Sequence, residues 1–230
     1  MILSLFLAAT LAGAAPQCAA DATPQAAVCR ALAAQAGNRH ADAAAEFEAA
    51  ATANPEDPAA SRALAAAGNM WIAAGQPGKA VVALDRALAG KGLFAEQRGE
   101  ALLDRARAAE AQGDLKTARA KLKLAAEAIA ADPFYWYFSA ALAVREEDVP
   151  TAKLAIARAL TLAPNDPTIL FEAGHVASLA GEEAKARDYW TRAAAADPNG
   201  VSGGAAKRAL GLIPVPLAIS GTALPSEAGD

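Results

Sequence analysis

One spacing constrains this chain more than any other feature. Asp-Pro pairs stand at 132–133 and 166–167, 34 residues apart, and a third follows at 197–198. Between them the same order of small and large apolar residues returns. Such a period marks a stacked array, in which each unit buries its apolar face only against its neighbours. It argues against a single closed globule. Alanine dominates, leucine follows, and β-branched runs are few. Alanine is the best intrinsic helix former, so the units are helical. Aromatics make up only 5% of the chain, so close-packed small side chains must build much of the core.

The unit opened by Pro167 reads most clearly. Leu170, Ala173, Gly174 and Ala177 fall at helical spacing, Gly181-Glu182 makes a turn, and Ala186, Trp190 and Ala193 share one face of a second helix before Pro198. A large residue, a Leu-Gly or Leu-Ala pair, a turn glycine, then Ala, an aromatic, Ala and Pro: this resembles the tetratricopeptide repeat (TPR) family. The resemblance implies an all-α fold, a right-handed α-solenoid of antiparallel helix pairs with about five units. The unit from Pro133 keeps the register with Trp136, Ala140, Ala143, Ala152, Ile156, Ala159 and Pro164. The unit from Gly99 keeps it with Leu102, Ala106, Ala109, Gly113-Asp114, Ala118, Leu122 and Ala125, but Arg105 replaces a leucine and Ala130 the closing proline. Leu64, Ala67, Gly68, Trp71, Gly75, Ala80, Leu84 and Ala87 mark a further unit, followed by a small insertion at 91–94. The first unit has Ala43, Phe47 and Ala50 in its second helix. Its first helix carries Arg30 where a large apolar residue is expected, as an N-terminal cap would. The expected units are 24–57, 58–94, 99–132, 133–166 and 167–200, within a solenoid spanning 23–210. A capping helix at 201–210 takes Ser202 as its N-cap.

Residues outside the array point to export. The first 15 residues are almost wholly apolar and end in Ala12-Gly13-Ala14, a small-x-small cleavage pattern. Residues 1–14 resemble a secretory signal peptide, although no Lys or Arg precedes the apolar run. That run is short of the roughly 20 residues a membrane span needs. The expected location is periplasmic or secreted, with no stable membrane insertion after cleavage; an uncleaved N-terminal tether is the alternative. Residues 15–22 form an arm containing Cys18. Gln17 fits a lipidation motif poorly. Cys18 and Cys29 are the only cysteines. An even count in an oxidising compartment suggests a disulfide, with free thiols as the alternative. At 211–230 the prolines at 214 and 216 oppose a helix, leaving an irregular tail that is either disordered or docked in extended form on a groove.

No motif for catalysis emerges. There is no phosphate loop, dinucleotide fingerprint or His-Glu-x-x-His sequence. His40, beside Asp42, is expected to be solvated, and the Glu146-Glu147-Asp148 cluster likewise. A net charge of −4 argues against nucleic acid, and Lys116, Arg119, Lys121 and Lys123 read as a solvated helix face. The chain is expected to be no enzyme and to hold no metal or cofactor.

Binding remains. The family resemblance implies that the first helix of each unit lines a concave groove. Residue by residue, the groove positions are Arg62, Asn69, Leu103, Arg107, Phe134, Tyr137, Arg145, Phe171 and His175. The Lys and Asn set that clamps a peptide C-terminus is absent. Five of the twelve aromatics fall at 134–138, and consecutive helical residues cannot all face one way. Trp136 is assigned to the core. Phe134 and Tyr137 either share the groove with Phe171 or fill the gap between helix pairs. The expected function is a protein–protein interaction scaffold holding a partner's peptide or helix within an envelope assembly, secretion or biogenesis complex. The alternative is homo-oligomerisation through the tail or the solenoid ends.

Overall fold

The computed structural model describes residues 18–212. The segment read as a signal peptide and the tail from 213 onward lie outside the described residues. Among those described there are eleven α-helices and no strand. They form five consecutive antiparallel pairs: α1 (Pro24–Ala36) with α2 (His40–Ala53), α3 (Pro58–Ala73) with α4 (Pro77–Ala89), α5 (Ala95–Ala111) with α6 (Leu115–Ile129), α7 (Pro133–Arg145) with α8 (Val149–Leu162), and α9 (Pro167–Leu179) with α10 (Glu183–Ala196). A final helix, α11 (Val201–Leu212), packs on α9 and α10. The architecture is an all-α solenoid of helix pairs.

The Asp-Pro pairs are helix starts. Asp57, Asp132 and Asp166 are N-caps whose carboxylates accept from Ala59 N (2.7 Å), Phe134 N (2.9 Å) and Thr168 N (2.8 Å). The proline that follows has no N–H to leave unsatisfied in the first turn. Asp114 and Asp148 cap α6 and α8, and hydrogen bonds with Thr117 and Thr151 hold both carboxyls below their usual range. The last Asp-Pro pair, 197–198, behaves differently. Asp197 closes α10 and reaches forward to accept from Gly203 N at 3.3 Å. The next helix starts at Val201, 34 residues after Pro167, so the period survives although the motif does not. Ser202 is therefore the second residue of α11 rather than its N-cap. Its hydroxyl lies 3.1 Å from that of Thr168, one repeat earlier.

Each pair closes through small side chains. Every second helix presents a buried alanine, a large residue four positions on, and another buried alanine three positions later: Ala43-Phe47-Ala50, Ala80-Leu84-Ala87, Ala118-Leu122-Ala125, Ala152-Ile156-Ala159 and Ala186-Trp190-Ala193. The first helix yields space opposite. A Cβ on Gly68 would lie 2.4 Å from Leu84 Cγ, and one on Gly174 only 2.2 Å from Trp190 Nε1. The Trp190 indole N–H donates to the Phe171 carbonyl at 3.1 Å. Trp136 departs from expectation. It is half-buried, whereas Tyr135 and Phe138 fill the core. An indole is wider than the leucine at the equivalent position, Leu170, and its N–H needs an acceptor. It turns to the rim, where the Ala130 carbonyl accepts at 2.7 Å.

Adjacent pairs are tied by polar bridges. Arg105, which interrupts the apolar pattern, bonds Asp85 at 2.8 Å. Arg119 pairs with Glu146, so that acidic cluster is spent on structure. Lys153 and Lys185 (2.8 Å) both engage Glu182. Arg30 pairs with Glu46 at 2.8 Å and donates to the carbonyls of Ala19 and Asp21, strapping the arm to the first pair. His40 is half-buried, and its Nδ1 is enclosed without a hydrogen-bond partner, contrary to the solvated expectation.

Two predictions follow from this framework. The turn within each pair carries one left-handed residue: Asn38, Gly75, Gly113, Glu147 and Gly181. Glu147 (φ 57°) holds this conformation despite its Cβ, which disfavours it. Glu147→Gly should stabilise the protein by about 0.5–1 kcal/mol after the entropy gained by the unfolded chain is deducted. An unchanged or lowered midpoint in urea would contradict this. Separately, hydrogen bonds from Lys153 and then Lys185 hold the Glu182 carboxyl at about 2 against an ordinary 4.5. A folded-state value below the unfolded one contributes stability above about pH 4.5 that is lost as pH falls toward 2. Wild type should therefore exceed Glu182→Gln in thermal midpoint at pH 6 and converge with it near pH 2. Parallel acid titration curves would refute the linkage.

Candidate functional site

The first helices lie side by side along one face. α3 touches α5, α5 touches α7, and α7 touches α9, while no comparable contact joins the second helices. The first-helix side is thus the inner, concave side. At its N-terminal end an open cavity of about 420 Å³ lies between α3, α5 and the start of α7.

Of the nine positions implied by the resemblance, Arg62, Asn69, Leu103, Arg107 and Phe134 line this cavity. Tyr137, Arg145, Phe171 and His175 do not. The polar members are engaged inside the protein. Arg62 donates to the Gly92 carbonyl at 3.0 Å. The Asn69 amide donates to one oxygen of Asp104 (2.8 Å), and Arg107 binds the other (2.7 Å). The Arg107 guanidinium also sits 5.4 Å from the centre of the Phe134 ring. Phe134, 38% exposed, leans on Tyr137 at 5.2 Å between centroids. Leu103 is buried and forms both wall and core.

The other four lie farther along. Arg145 pairs with Glu110, again across adjacent first helices. Burial pushes the Tyr137 hydroxyl upward, with Glu172 adding to the effect, so the phenol stays neutral. Phe171 packs edge-on to His175 at 4.4 Å, and His175 edge-on to Trp190 at 5.8 Å. The His175 Nδ1 lies 3.6 Å from the buried carboxylate of Glu172.

The structure adds residues that the sequence pattern passed over. Glu100 and Asp132 line the cavity beside Asp104. Burial raises the Glu100 carboxyl, and repulsion from Glu96, Asp104 and Asp132 raises it further. Glu96, Glu100, Leu103 and Arg107 follow helical spacing on α5, the one available signal. Among the described residues no three His, Cys, Asp or Glu side chains gather as metal ligands, and no helix is long and apolar enough to cross a membrane.

Cys18 and Cys29 stand in disulfide geometry with Cα atoms 5.6 Å apart, joining the arm to α1.

No protein-family model matches the chain, and no curated protein matches it in sequence. Solved structures match its fold. The type IV pilus biogenesis factor PilW superposes with a TM-score of 0.65 at 18% identity, covering 79% of this chain and 81% of that one. MamA gives 0.59 at 15% identity over 84% and 98%. YrrB, described as a TPR protein with an unusual peptide-binding site, gives 0.56 at 18% identity over 82% and 92%. The fold is thus that of TPR proteins.

The cysteine pair closes a loop of sequence separation 11, for which chain entropy predicts a stabilisation of about 2–3 kcal/mol. The effect should be local to the first pair, because arrays transmit stability only between neighbours. Cys18→Ser with Cys29→Ser should speed amide exchange in α1 and leave α9 unchanged. Equal rates in α1 would exclude a bridge.

Proposed function

We propose that this chain is a non-enzymatic interaction scaffold that holds a peptide or helix of a partner protein along α3, α5 and α7. The open cavity carries the reading: it is walled by rigid first helices and presents Phe134, an aromatic whose position Arg107 and Tyr137 constrain. A rigid, partly exposed aromatic buries much area for little lost freedom, as binding anchors do. Residues of the second helices are absent from the cavity wall apart from Phe47, so a ligand would lie across the first helices and span several units.

The setting we propose is an envelope assembly outside the cytoplasm. A bridged Cys18 and Cys29 would suit an oxidising compartment. The apolar start of the chain supports export, and the fold shared with a pilus biogenesis factor is compatible with it.

The test uses two groove variants. Phe134→Ala removes the anchor, and Ala66→Arg fills the cavity from α3. Both should retain the far-ultraviolet helical signal of wild type. Both should lose at least about tenfold in partner recovery when crosslinked from envelope fractions, the loss typical of a hot-spot residue. Full recovery by both folded variants would sink the groove reading.

A further inference from the structure

The charges in the cavity are not balanced, and the imbalance is specific. Three carboxylates, Glu100, Asp104 and Asp132, face two guanidiniums: Arg107 is paired with Asp104, and Arg62 keeps its charge but is tethered to the Gly92 carbonyl. Both oxygens of Asp104 are likewise taken, by Arg107 and by Asn69. Glu100 makes no hydrogen bond or ion pair among the described residues, and its charged neighbours are Glu96, Asp104 and Asp132, all of one sign. Asp132 accepts from the backbone of Phe134 and meets no cation. Around these carboxylates the wall is apolar, with Leu103, Met70 and Phe134. The groove therefore offers uncompensated negative charge set beside an apolar anchor.

Resting on the groove reading above, we propose that the partner segment is cationic and apolar: a Lys or Arg side chain enters between Glu100 and Asp132, and a neighbouring aliphatic or aromatic side chain packs on Phe134 and Leu103. Several observations converge on this occupant. An anionic segment would meet three carboxylates against two guanidiniums, of which Arg107 is already paired with Asp104 and Arg62 is tethered to the Gly92 carbonyl. A wholly apolar segment would dehydrate Glu100 and gain nothing in return, a cost that unpaired buried charge always carries. An incoming ammonium or guanidinium reverses that cost, and a guanidinium can engage a carboxylate through two parallel hydrogen bonds. The raised Glu100 carboxyl fits the same picture: it is the group that gains most from an opposite charge. A metal ion would need more ligands than this side of the groove assembles.

The experiment uses the full chain and two fluorescein-labelled pools of blocked decapeptides. They share one apolar composition and differ only in carrying Lys and Arg or Glu and Asp at two fixed positions. Fluorescence polarisation is read for wild type, Glu100→Gln, Phe134→Ala and Glu127→Gln. The last removes the same charge from an exposed site on α6. The basic pool should bind wild type at least about tenfold tighter than the acidic pool, and Glu100→Gln should weaken it about five- to tenfold. Phe134→Ala should weaken it comparably, and Glu127→Gln should leave it unchanged. Equal losses in Glu100→Gln and Glu127→Gln would reduce the preference to net charge and overturn the proposal. So would an acidic pool that binds as tightly as the basic one. Those outcomes leave the groove reading standing. If neither pool binds and Ala66→Arg still captures every native partner, both readings fall together.

Discussion

Everything in this molecule depends on how closely the two helices of a pair approach. Alanine or glycine at the crossing lets one large side chain per pair reach the opposite backbone, as Leu84 does over Gly68 and Trp190 over Gly174. The same arrangement recurs five times, so successive pairs stack alike and their first helices align on one face. That alignment, rather than any one residue, creates the groove. Alanine buries little apolar area, so each pair gains less from hydrophobic transfer than a leucine-rich one would. Aspartate caps and polar bridges between neighbouring pairs supply part of what a thin core lacks.

The polar side chains of the groove follow from this bracing. Cations that face the inner surface are held by their own chain: Arg107 takes Asp104 one turn away on α5, and Arg145 reaches across from α7 to Glu110 on α5. What stays available is the remaining carboxylate charge and the aromatic that Arg107 steadies. The same contacts that hold the pairs in register thus decide which charges a ligand meets.

The helix pairs and their small-residue crossings were legible in the sequence, because side-chain size at a fixed period reports packing directly. The turn positions were legible for the same reason, even where Glu147 stands in place of glycine. Trp136 joins the core only in part, packing against it from the rim, because period alone does not say whether an indole fits a leucine-sized slot. Asp197-Pro198 was legible as the close of the last pair, whereas Ser202 was misread as an N-cap because the helix begins one residue before it. The engagement of Arg62 and Arg107 and the isolation of Glu100 were not legible. Whether a long charged side chain meets solvent or a neighbour depends on a stacking geometry that the one-dimensional pattern does not contain.

The bridges have one more property. Asn69 bonds Asp104, Arg145 bonds Glu110 and Thr168 meets Ser202, at sequence separations of 35, 35 and 34. Each joins a residue to one almost a single period away. Copying or excising one whole period of the gene would re-present a comparable set of partners at the new junction. A gain or loss of a few codons inside a helix of one repeat would put that repeat out of step and mispair the contact that spans it. An array wired in this way is free to change its length over generations in whole steps and is penalised for anything between them.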